Sequence, residues 1–94
     1  MDKRFNAVSL QQQMEWRRQA VADVLEHPEW SLAQAVGHIR KTLRLTHAEL
    51  AALSGVSFRT LQEIEGERSD GTVQTLNKIL GVLGLRLGVV SGRG

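Results

Sequence analysis

The chain has 94 residues, 41% of them hydrophobic, which is enough for one small domain and leaves no room for a second core. Zero cysteines exclude disulfides and thiolate metal sites; no apolar run reaches the ~20 residues of a membrane span, and Met1-Asp2-Lys3-Arg4-Phe5 is no secretory leader, so a cytoplasmic location is expected. Lys and Arg number 12 against 10 Asp and Glu, a net charge of +2, and the excess lies after Ser31, a mild lean towards an anionic partner.

Few aromatics and many Ala, Leu, Gln, Glu and Arg favour helices over sheet. Residues 1–8 show no periodicity and read as an arm. From Ser9, the apolar positions Leu10, Met14, Val21, Val24 and Leu25 recur at helical spacing until Pro28 stops the helix. Arg17 and Arg18 lie on its polar face. A second helix starts at Ser31, where Ser31-Leu32-Ala33-Gln34 has capping-box spacing, with Leu32, Val36, Ile39 and Leu43 as its buried stripe. Another box, Thr46-His47-Ala48-Glu49, opens a third helix carrying Leu50 and Leu53, so a break near Leu45 is expected. Gly55 suits the left-handed turn after it, and Ser57 can cap a fourth helix running to about Glu65. Two helices separated by so short a Gly turn form the helix-turn-helix pattern.

Six turn formers, Gly66 to Gly71, precede Thr72, which can cap a fifth helix with Val73, Leu76, Ile79, Leu80 and Leu83 on its core side and Gly84 at its close. The period then changes: Leu85, Leu87 and Val89 share one face, as in a half-buried strand. A lone strand lacks a partner inside so small a helical chain, and a second copy would supply one across a twofold axis.

Enzyme chemistry lacks its parts. His27, His38 and His47 have no metal-ligand spacing, no Cys can act as nucleophile, no Ser lies in a nucleophile-elbow context, and no cofactor is expected. The fourth helix is more informative. At 100° steps Leu61 and Ile64 point one way, while Arg59, Gln62 and Glu63 point the other, with Phe58 at the edge. Arg can donate two hydrogen bonds to guanine, Gln can pair with adenine, Glu can accept from cytosine, and Phe can touch a thymine methyl. A solvated amphipathic face would carry the same residues. The preceding short helix and tight turn favour DNA, because that unit projects the start of its second helix into a major groove.

The stretch from Leu45-Thr46-His47-Ala48-Glu49-Leu50 to Leu53-Ser54-Gly55-Val56-Ser57, continuing through Thr60-Leu61 to Ile64-Glu65-Gly66, resembles the Cro/phage-repressor (XRE) family. The likeness covers about Ser31 to Leu83. Asn77-Lys78-Ile79-Leu80 followed by Leu85-Arg86-Leu87 is also similar to the HipB-type antitoxins of that family. The resemblance implies an all-α, lambda-repressor-like bundle of about five helices, with a C-terminal strand pairing across a homodimer. Three regions follow: an arm and extra helix over 1–30, a DNA-binding domain over 31–84, and a dimerisation strand and tail over 85–94.

Carried over by position, the family's base-contacting sites fall on Ser57, Phe58, Arg59, Gln62 and Glu63. Its phosphate contacts fall on His47, Arg68, Ser69 and Thr72, and a structural ion pair on Arg40 and Glu65. Leu85, Leu87 and Val89 would form the dimer ribbon. His47 stands where the family usually has Gln, Phe58 replaces a position often held by a polar reader, and Glu63, Glu67 and Asp70 bring negative charge near the DNA face. The function implied is a dimeric repressor on an inverted-repeat operator in double-stranded DNA, or the antitoxin of a toxin partner. The alternative is a protein-interaction module that kept the fold and lost DNA binding.

Overall fold

In the computed structural model, which describes residues 8–92, five helices follow one another: α1 (Leu10–Glu26), α2 (Leu32–Thr42), α3 (His47–Ser54), α4 (Phe58–Glu65) and α5 (Val73–Gly81). Each starts at a hydroxyl residue, Ser9, Ser31, Thr46, Ser57 or Thr72, whose side-chain oxygen accepts a hydrogen bond from the backbone N–H three residues on. The capping boxes read at Ser31 and Thr46 are both closed by their Gln34 and Glu49 side chains, and Ser9 with Gln12 adds a third.

Three helices end in the same way. After α2, Arg44 takes a left-handed φ of 59°, its N–H donating to Lys41 O and that of Leu45 to Arg40 O. Glu67 repeats this after α4 at φ 60°, and Gly84 after the tightened last turn of α5 at φ 74°. These paired bonds satisfy carbonyls that the helix leaves open.

The main core joins Val36 of α2, Leu50 of α3, Val56 of the turn, Leu61 and Ile64 of α4, and Leu76 and Ile79 of α5. A second cluster, Ile39, Leu43 and Leu80, is roofed by Trp16 and Val24 of α1 and by Leu83, Leu85 and Leu87. Here the sequence expectations need correction. Leu32 and Val73, assigned to buried stripes, are exposed, each being the first residue of its helix. Leu10, Met14 and Leu25 are also exposed. The stripe that α1 turns inward is Trp16, Ala20 and Val24, and fully buried Ala20 lets its backbone approach α2 closely.

Polar contacts complete the docking of α1. His38 Nε2 donates to Asp23 Oδ2 at 2.7 Å, Arg17 Nη2 donates to Val82 O at 2.6 Å, and the Arg44 guanidinium lies 4.4 Å above the Trp16 ring centre. His27 donates to the Asp23 carbonyl and stacks on Trp30.

No strand forms among the described residues. Over 85–88 the expected alternation is present, with Leu85 and Leu87 half-buried and Arg86 and Gly88 exposed. Val89, assigned to the same face, is exposed. The Leu87 N–H donates to Asn77 Oδ1 at 2.7 Å, which ties the segment back to α5. Among the described residues no helix is long and apolar enough to cross a membrane.

Candidate nucleic-acid interface

α3 and α4 are joined by three residues. Gly55 adopts φ 78°, a conformation that costs a side-chain-bearing residue about 1 kcal/mol, and the chain can therefore reverse at once. Val56 is buried under the turn, so the start of α4 is anchored from below. Leu61 and Ile64 are sunk into the core, which leaves the opposite side of α4 outside.

On that side the structure brings together Phe58, Arg59, Gln62 and Glu63. Phe58 is 46% exposed, and the Arg59 side chain is 88% exposed. Arg59 Nε donates to Glu63 Oε2 at 3.3 Å, one turn along the helix. So open a pair constrains Arg59 little, and its guanidinium remains available to the surroundings. Ser57 is more occupied: its hydroxyl donates to Thr60 Oγ1 at 2.7 Å while its oxygen accepts from the Thr60 N–H. One acceptor lone pair is left for any other partner.

Beneath this face lies a charged cluster linking three helices. Glu65, at the end of α4, accepts two hydrogen bonds from Arg40 of α2, Nε to Oε2 at 2.9 Å and Nη2 to Oε1 at 3.1 Å. Arg40 also donates from Nη1 to Leu45 O at 3.2 Å. Both side chains are largely buried, at 16% and 13% exposure, so the fork-on-carboxylate geometry satisfies charges that water reaches poorly. Gly37, one turn before Lys41 on α2, passes close enough that a Cβ would meet Glu65 Oε1 at 3.5 Å, an ordinary contact.

His47 joins this cluster. Its Nε2 is 3.3 Å from Glu65 Oε1, and its ring meets that of Phe58 edge-on with centres 6.0 Å apart. Expected from the sequence at phosphate, it connects the first turn of α3 to the last turn of α4 and lies against Phe58, with its side chain still 27% exposed. The pattern of residues could not show this, because the contact depends on how α3 crosses α4.

The remaining expected positions lie around the loop before α5. Arg68 and Ser69 are exposed, with their amides donating to Glu63 O and the Ser69 oxygen accepting from Gly71 N. Thr72 caps α5 and donates its hydroxyl to Thr75 Oγ1 at 3.0 Å. Glu67 and Asp70 are exposed in the same loop.

The family model for helix-turn-helix proteins, HTH_3, matches residues 38–90, more than half of the chain. Neither the curated proteins nor the solved structures contain a match. The matched span starts in α2, takes in the reversal at Gly55 and the outward face of α4, and runs past α5 into the segment tied by Asn77. With that geometry and that match together, the chain belongs to the XRE-type helix-turn-helix family of DNA-binding transcription regulators.

Proposed function

We propose that this protein is a repressor that occupies an inverted-repeat operator as a homodimer in the cytoplasm, with α4 of each copy in successive major grooves ~34 Å apart. The observation that carries the reading is the outward row Phe58, Arg59 and Gln62 on a helix whose opposite side is fixed in the core. In this reading Arg59 and Gln62 supply most of the sequence choice, Phe58 and Glu63 make secondary base contacts, and Ser57 accepts one bond through its remaining lone pair. His47, Arg68, Ser69 and Thr72 face phosphate. The segment holding Leu85, Leu87 and Val89 joins the two copies. Because the Leu87 amide is held by Asn77, the amides of Arg86 and Gly88, which alternate with it, would form the paired edge.

The test is a gel shift on the protein's own promoter over a range of salt. A specific complex that weakens steeply with salt supports the repressor. Arg59→Ala is expected to weaken operator binding by ~1–3 kcal/mol while sparing random DNA. No complex even at low salt would favour a protein-interaction module, for which the acidic residues Glu63, Glu67 and Asp70 beside the same face speak.

An antitoxin role rests on a different observation. Leu10, Met14 and Leu25 project from α1 into solvent and offer an apolar stripe to a partner such as a toxin encoded beside this chain. Co-purification with the product of the neighbouring gene tests it; a failure to associate leaves a free-standing repressor.

A further inference from the structure

Between α1 and α3 lies a cleft of about 420 Å³ that neither the core nor the outward face of α4 uses. Its floor is apolar: the Trp16 ring, Leu43, Leu45, and Leu53, which is 61% exposed. Glu49 and Leu53 project from the side of α3 opposite His47, since two and six residues of helix rotate them by roughly 200° and 240° from it. The cleft is therefore separate from the surface assigned to DNA.

Charge gathers at the rim of the cleft. Arg17 and Arg44 both line it, and among the described residues neither is within ion-pair distance of a carboxylate. Arg17 donates to the Val82 carbonyl, and Arg44 lies over Trp16 with its Nη1 donating to Thr42 O at a long 3.4 Å. Glu49 is the one acidic group in the lining, and its Oε1 already accepts from the Thr46 N–H at 2.8 Å. Arg44 also holds the left-handed backbone at φ 59°, a position that glycine fills with less strain. A long cationic side chain there is accounted for by where it ends, over the aromatic wall. Volume, apolar floor and uncompensated guanidinium groups together match a small-molecule pocket with few, convergent polar groups.

We propose that this cleft binds a small amphipathic carboxylate, its apolar body against Trp16, Leu45 and Leu53 and its carboxylate on Arg44 and Arg17. This goes beyond the DNA-binding reading and does not depend on it.

Trp16 and Trp30 are the only tryptophans, and Trp30 stands away from the cleft against His27 and His38. In the full-length Trp30→Phe protein, Trp16 is then the sole fluorescent reporter. Octanoate is expected to change its emission saturably with one site per chain, and calorimetry should give the same stoichiometry. Arg44→Gln should weaken octanoate roughly tenfold, the loss expected for one charge-assisted hydrogen bond. Leu53→Glu, at an exposed position that leaves the circular dichroism spectrum intact, should abolish binding. Octanol binding as tightly as octanoate, indifference to Arg44→Gln, or no saturable change with octanoate would each overturn the proposal. So would a dimer that dissociates on Leu53→Glu without taking up octanoate, which would assign the cleft to a second copy.

Discussion

Removing the carboxylate of Glu65 tests how the outward face of α4 is held. Glu65→Leu keeps the size of the side chain near enough to avoid a large void but leaves Arg40 charged, with only Leu45 O at 3.2 Å as a partner. An uncompensated charge that is wholly buried costs 3–5 kcal/mol, by the usual rough range for such sites. At 16% exposure Arg40 can recover some hydration, which brings the expected cost below that range, to about 2–3 kcal/mol. A domain of this length has a stability of roughly 5–14 kcal/mol. The loss should therefore lower the midpoint of thermal unfolding by about 8–20 °C.

The double variant Arg40→Met/Glu65→Leu separates this account from simple loss of a contact. With both charges gone no ion is stranded, and most of the lost stability should return. Arg40→Met alone should cost less than Glu65→Leu alone, because Glu65 keeps the His47 ring nitrogen Nε2 as a neighbour at 3.3 Å, whereas Arg40 keeps only a carbonyl. Unfolding followed by circular dichroism at fixed protein concentration gives the coupling energy from the four proteins. Two results would refute the reasoning: a Glu65→Leu midpoint within a degree or two of the parent, or a double variant that loses the sum of its two single variants.

Other perturbations act elsewhere in the fold. The Asp23 carboxyl is held below its ordinary range, first by the hydrogen bond from His38 and next by that from Gln19. A depressed folded value means that the docking of α1 contributes its full stability above the ordinary carboxylate range and loses it as pH falls through the lowered value; in Asp23→Asn the acid limb of the stability profile should be shallower, and an unchanged limb would deny the contact that role. Gly55→Ala should cost about 1 kcal/mol, all of it conformational, since a Cβ there meets nothing within 4 Å. Gly71→Ala should cost more in the same denaturation assay, because at φ 74° its Cβ would also lie 3.1 Å from Ile64 Cδ1.

Much of this architecture is written in short-range chemistry. The hydroxyl caps at Ser31, Thr46, Ser57 and Thr72 act within three residues, so their spacing alone places the helix starts. Gly55 and Gly84 mark reversals because few other residues accept the left-handed backbone. Arg44 and Glu67 make the same reversal without glycine and give no such signal. The inward stripe of α1 gives no clear signal for a related reason. Leu10, Met14 and Leu25 are more apolar than Ala20, yet Ala20 is the residue that is buried, because a helix lying close against another needs a small side chain at the crossing. Hydrophobicity reports what can be buried; the crossing geometry selects what is. The outward row of α4 was legible by elimination once Leu61 and Ile64 had fixed the inward side. The place of His47 was not, because its two neighbours, Glu65 and Phe58, come from another helix.

The central element in this arrangement is α2. Its core stripe, Ala35, Val36 and Ile39 with Leu43 at the C-cap, is buried, and its two flanks hold different neighbours. His38 grips Asp23 of α1, and two residues on, after roughly 200° of helical rotation, Arg40 grips Glu65 of α4. The extra helix and the proposed DNA-reading helix are thus fastened to opposite flanks of one strut. α1 can cover the second core cluster without crossing the outward side of α4, whose Arg59 and Gln62 stay exposed. A variant that loosens α1, such as Asp23→Asn, should for this reason cost stability while leaving binding to an operator intact. Loss of Glu65 should harm both, since it releases the end of the helix that carries the reading face. Equal effects of the two variants on DNA binding would show that α2 passes strain between its flanks instead of keeping them apart.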